Sequence, residues 1–140
     1  MNNAVTIVMI EDDAGHARLI EKNIIRAGVT NRILHFSNGT TAMDYLEKNG
    51  ESAKSLLVLL DLNLPDMTGI DILQRLKSHE GLKRAPVIVL TTTDDRREIE
   101  RCYELGCSVY ITKPVEYDNF ANAIRQLGLF FSVIQVPESA

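Results

Sequence analysis

Leu56-Leu57-Val58-Leu59-Leu60 is apolar at every position and runs directly into Asp61. A strand with one solvated face alternates apolar and polar residues. A run with no polar face must be covered on both sides, as in a parallel sheet with helices above and below. Val5 to Ile10, Asn31 to Phe36, Val87 to Leu90 and Val109 to Ile111 read as four further strands. The stretches between and after them carry apolar residues at helical spacing. These are Leu19, Ile20, Ile24 and Ile25; Ala42, Met43, Tyr45 and Leu46; Ile70, Ile72, Leu73 and Leu76; Ile99, Cys102, Tyr103 and Leu105; and Phe120, Ala123, Ile124, Leu127, Phe131 and Ile134. Gly28, Gly50 and Gly106 stand at predicted helix ends, and Asp118 at the predicted N-cap of the last helix. A βα unit repeated five times predicts an α/β fold: a doubly wound, five-stranded parallel sheet with right-handed crossovers. The 140 residues suit one domain, and no linker or low-complexity tract divides them.

Charge narrows the partners. The net charge is −4, and no long Lys/Arg run supplies the clustered positive charge that duplex phosphates require, so nucleic acid is not expected as a partner. Cys102 and Cys107 lie five apart with no metal-ligand spacing and read as buried thiols. The longest apolar stretch, Leu127 to Val136, is too short to span a bilayer. No signal peptide is evident at the N-terminus. A cytoplasmic protein that does not enter membranes is expected.

In a sheet of this kind ligands bind beyond the carboxyl ends of the strands. Strand one is followed by Glu11, Asp12 and Asp13, strand three by Asp61, strand four by Thr91, and strand five, past Thr112, by Lys113 and Pro114. Taken singly each has an ordinary explanation: Asp13 is a helix cap, Thr91 a local backbone partner. Together they bring carboxylates, a hydroxyl and an amine to one edge. Two carboxylates about 4 Å apart repel by about 4 kcal/mol at an effective dielectric near 20, so Glu11, Asp12 and Asp61 must retain protons or hold a cation. Oxygen ligands without His or Cys point to Mg²⁺ or Mn²⁺. A carboxylate beside such a cation is a competent nucleophile toward phosphorus. Cation, Lys113 and Thr91 would then share the charge of a transferring phosphoryl group.

The stretches Val8-Met9-Ile10-Glu11-Asp12-Asp13, Asp61-Leu62-Asn63-Leu64-Pro65-Asp66-Met67-Thr68-Gly69, Val87 to Thr92 and Tyr110-Ile111-Thr112-Lys113-Pro114 resemble the response-regulator receiver family of two-component signalling. The resemblance implies a flavodoxin-like fold and one receiver domain over residues 1–140, with 129–140 an apolar helix end and tail. It implies a phosphoryl group accepted from a sensor histidine kinase on Asp61. Asp12, Asp61 and the backbone carbonyl of Asn63 would be direct metal ligands, with Glu11 acting through water. Lys113 would pair with phosphate, Thr91 would be the switch hydroxyl and Tyr110 the switch aromatic. The protein would assist only its own phosphorylation and dephosphorylation, without turnover as an enzyme. Glu11 departs from the more usual aspartate, and Thr92 fills a position that is often alanine. The stretch Ala14 to Asn23, with His16 on the surface of helix one, and the aromatic C-terminus are similar to stand-alone receivers that serve phytochrome-type kinases.

Competing readings fit less well. A haloacid-dehalogenase-type phosphatase needs a second acid at position 63, where Asn63 stands. A flavodoxin-type cofactor binder needs a phosphate loop after strand one. A DNA-binding output domain is not expected, since only 22 residues follow Asp118. A receiver-like module that binds a partner without phosphorylation is the remaining alternative. Beyond the core stripe, Leu129, Val133 and Val136 lie on the opposite face of the last helix. Burial of each is worth about 1.5–3 kcal/mol, so a homodimer through these residues is expected.

Overall fold

The computed structural model describes residues 5–48, 56–92, 94–113 and 116–123. Five strands, β1 (Thr6–Ile10), β2 (Ile33–Phe36), β3 (Leu56–Asp61), β4 (Val87–Thr91) and β5 (Val109–Thr112), form one sheet in the order β2-β1-β3-β4-β5. Every pairing is parallel. The helices are α1 (Ala14–Arg26), α2 (Gly39–Lys48), α3 (Gly69–Ser78) and α4 (Arg96–Glu104); residues 117–123 are also helical.

Side-chain alternation in the strands divides the core into two layers. Val8, Ile10, Val58, Leu60, Val87 and Val89 pack with Ala42 and Leu46 of α2, Ile72 and Leu76 of α3, and Cys102 of α4. Ile7, Met9, Leu57, Leu59, Ile88 and Leu90 pack with Ala17, Ile20 and Ile24 of α1 and with Phe120 and Ala123. All six residues of β3 are buried, as the unbroken apolar run requires. On the second layer, the Arg26 guanidinium lies 3.8 Å from the centroid of the Tyr117 ring, tying the end of α1 to helix 117–123.

Some expectations require correction. Leu19 and Ile25 are 48% and 63% exposed, because α1 rests on the sheet through the narrower stripe of Ala17, Ile20, Asn23 and Ile24. In α4 only Cys102 is buried. Tyr103 turns outward, and its hydroxyl accepts the Tyr110 N–H at 3.2 Å. Asp118 lies inside the helical turn rather than at its cap, since the Phe120 N–H already bonds to the Glu116 carbonyl. Asp61 and Thr91 are the last residues of their strands rather than the first beyond them. Gly28 and Gly106 follow the helix ends with positive φ, as predicted; Gly50 lies outside the described residues. Burial pushes the Cys102 thiol up to about 11 and the Cys107 thiol up to about 12, in keeping with inert core thiols. No helix among the described residues is long and apolar enough to cross a membrane.

The start of α2 is capped from far away in sequence. Asp66 accepts the Gly39 N–H at 2.9 Å and the Thr40 N–H at 2.7 Å, and also bonds to the Thr40 hydroxyl. These bonds, the Thr40 hydroxyl foremost, hold the Asp66 carboxyl down to about 2. A depressed folded value means the stabilisation is complete above the ordinary 3.8 and disappears as pH falls through about 2. Asp66→Ala is therefore expected to lower the urea midpoint at neutral pH. Its deficit against wild type should shrink as the titration is carried down through that interval.

Candidate functional site

The register explains why distant residues meet. Ile10 pairs with Leu60, so one step further on Glu11 stands beside Asp61. Thr91 pairs with Thr112, so Lys113 follows at the same edge. Its N–H bonds to the Thr91 carbonyl at 2.6 Å. Carboxyl ends of β1, β3, β4 and β5 thereby deliver Glu11, Asp12, Asp61, Thr91 and Lys113 to one end of the sheet.

Glu11, Asp61 and Thr91 are 1%, 5% and 0% exposed, unusual for such residues; Asp12 is exposed. One carboxylate oxygen from each of Glu11, Asp12 and Asp61 lies within 4.8 Å of the others. Lys113 Nζ is 2.7 Å from Glu11 Oε1 and 3.5 Å from Asp61 Oδ2. Three acids thus face one ammonium, leaving the cluster with excess negative charge when all are ionised. Burial holds the Asp61 carboxyl above its ordinary value and the Glu11 charge adds to this, while the Asn63 N–H and Lys113 pull the other way. An all-oxygen donor set with surplus negative charge fits a hard divalent cation.

The loop after β3 shapes the rest. Asn63 donates its backbone N–H to Asp61 Oδ1 at 3.1 Å and its side-chain amide to Thr91 Oγ1 at 3.3 Å. The loop closes through an Asn63–Thr68 bridge and the Gly69 N–H on the Leu62 carbonyl at 2.9 Å. Thr68 then caps α3 through the Asp71 N–H. Asp13 caps α1 by accepting the His16 N–H at 2.9 Å, so its ordinary reading holds. Tyr110 lies in β5 opposite Val89 and packs, half-buried, on the α4 side of the core. Pro114, Thr93, Leu129, Val133 and Val136 lie outside the described residues.

Two neighbours of the site escaped the sequence. His35 Nε2 donates to the Glu11 carbonyl at 2.7 Å, fixing the turn that aims the acids. A strand histidine in β2 gives no sign of this, because the contact depends on β1–β2 pairing. His16 Nδ1 lies 3.4 Å from Lys113 Nζ; its place in the first turn of α1, directly above the acidic edge, is the available clue.

Comparison with known proteins agrees with this geometry. The response regulator receiver domain model matches residues 7–125. A receiver domain from Rhodospirillum rubrum is 68% identical, with a TM-score of 0.79 over 94% of this chain and 96% of that one. The phosphorylated cyanobacterial phytochrome response regulator RcpA is 33% identical, with a TM-score of 0.74 over 91% and 94%. Response regulator Rcp1 of Synechocystis sp. is 34% identical over 99% of this chain and 89% of its own length. Rcp1 in its Mn²⁺-bound form superposes with a TM-score of 0.73, at 30% identity over 91% and 94% of the two chains. With the 2-1-3-4-5 sheet, the acidic cluster and the apposed lysine and threonine, these matches establish that the chain belongs to the response regulator receiver domain family.

Proposed function

We propose that this receiver is a phosphorylation switch in which Asp61 accepts a phosphoryl group from a histidine kinase of the phytochrome-associated kind. The observation that carries the reading is the apposition of Asp61 to Lys113 and to the Glu11–Asp12 carboxylates at a buried sheet edge. Asp12, Asp61 and the Asn63 carbonyl would hold Mg²⁺ or Mn²⁺, with Glu11 acting through water. That cation would supply Lewis-acid stabilisation of phosphoryl charge. An ionised Asp61 oxygen attacks phosphorus, a phosphorus–oxygen bond to Asp61 forms, and the phosphorus–nitrogen bond to the donor imidazole breaks. The electron pair stays on that nitrogen, which takes a proton from solvent. The Asp61 carboxylate has no proton to lose, so no general base is needed.

Lys113 pairs with a phosphoryl oxygen, and Thr91 bonds to another as it leaves Asn63. The volume vacated by Thr91 lets Tyr110 turn inward, altering the α4–β5 surface. Phytochrome-related receivers among the structural neighbours support the partner class, and the Mn²⁺-bound Rcp1 supports the cation class. A homodimer through Leu129, Val133 and Val136 belongs to the same proposal. Its basis is the surplus apolar face read in the sequence.

Intact-mass measurement after incubation with acetyl phosphate tests the switch. Wild-type protein should gain one phosphoryl group only when Mg²⁺ is present, and Asp61→Asn should gain none. Absence of any gain in wild type would overturn the proposal in favour of a receiver-like module that binds its partner unphosphorylated.

A further inference from the structure

An ammonium has three N–H donors and no acceptor. Around Lys113 Nζ stand three acceptors: Glu11 Oε1 at 2.7 Å, Asp61 Oδ2 at 3.5 Å and His16 Nδ1 at 3.4 Å. The Lys113 side chain is 6% exposed, while that of His16 is 48% exposed. Of the three acceptors, the imidazole alone is not buried, since the Glu11 and Asp61 side chains are as enclosed as the amine. Local structure puts it there. Asp13 caps α1 through the His16 N–H, which makes His16 the third residue of the helix. Helical Cα–Cβ bonds lean toward the N-terminus, and the N-terminus of α1 opens on the acidic edge. Asp13 Oδ2 is 4.0 Å from Nδ1, too far for a hydrogen bond, so Nδ1 is left to accept from Lys113.

The three acceptors differ in what phosphoryl uptake does to them. Asp61 forms a bond to phosphorus, and Glu11 belongs to the carboxylate cluster that would face the cation. His16 takes part in neither change. We propose that His16 is a positioning residue for Lys113. It accepts the third ammonium proton and keeps the amine aimed at the Asp61 oxygens throughout phosphoryl uptake. This deepens the reading of Asp61 as phosphoacceptor and rests on it.

The test measures initial rates of phosphoryl gain from sub-saturating acetyl phosphate with Mg²⁺, by intact mass, in the whole chain. His16→Leu, which removes the acceptor from a half-exposed position, should slow uptake about three- to tenfold, and His16→Asn should recover to within about twofold of wild type. Asparagine places its Oδ1 near the position of Nδ1, so a role in hydrogen bonding is rescued where a role of the ring in packing is not. In a Lys113→Ala background the leucine substitution should cause no further loss, because both changes remove the same contact. Wild-type rates in His16→Leu would overturn the proposal alone, as would a loss that asparagine does not recover or one that persists without Lys113. A wild type that gains no phosphoryl group overturns the Asp61 reading and this one with it.

Discussion

Lys113→Met should lose about 3 kcal/mol of unfolding free energy when no divalent cation is present, the usual consequence of removing one partner from a buried ion pair. The amine sits between Glu11 Oε1 and Asp61 Oδ2, and all three side chains are 6% exposed or less. Methionine keeps the length and the apolar stem but leaves two buried carboxylates facing one another and Asp12. With the Glu11 and Asp61 side chains almost wholly buried, solvation offsets only part of that repulsion. Urea denaturation with and without Mg²⁺ measures the loss. Mg²⁺ should stabilise the variant, since a cation bound only to the folded state adds about 2.7 kcal/mol at a hundred times its dissociation constant. An unchanged midpoint in the variant would mean that the carboxylates are not held together by Lys113. An unchanged response to Mg²⁺ would mean that they do not form a cation site.

Gly69→Ala is expected to cost about 3 kcal/mol, the upper end for overpacking a closed site. A Cβ on Gly69 would lie 2.5 Å from the Leu62 Cα and 2.7 Å from both the Asp61 carbonyl oxygen and Leu62 Cδ2. Two of these are backbone atoms, so no side-chain rotation relieves the clash. The loop that carries Asn63 must shift instead, and the carbonyl proposed as a cation ligand moves with it. Gly28→Ala is the informative contrast. Gly28 has φ +90, and a Cβ there would meet nothing within 4 Å, so its cost is conformational, about 1–2 kcal/mol. Both variants should unfold at lower urea. Only Gly69→Ala should also slow phosphoryl uptake from acetyl phosphate. Equal uptake rates would show that the β3–α3 loop tolerates displacement without disturbing Asp61.

Some of this is open to inspection in the chain alone. An all-apolar run ending in aspartate demands burial on both faces, and strand alternation with helical spacing between then leaves a doubly wound sheet as the economical solution. Glu11, Asp12, Asp61, Thr91 and Lys113 are legible because each follows or ends a strand, and in such sheets all carboxyl ends lie on one side. Helix faces are less legible. The apolar stripe of α1 is wider in the sequence than in the fold, because periodicity reports which residues could be buried and the area of the underlying sheet decides which are. Leu19 and Ile25 stay outside for that reason.

Local pattern thus determined the element order, the sheet class and the set of chemical groups at its edge, since these follow from hydrophobicity and chain direction over a few residues. Pairwise contacts across long separations were decided only by the tertiary structure. Asp66 caps a helix that starts 27 residues earlier, His35 holds the Glu11 carbonyl from a neighbouring strand, and His16 reaches Lys113 across 97 residues. Hydrogen bonds of this kind depend on ångström-scale distance and direction, which the register of strands and the packing of helices set and which no local run of residues encodes.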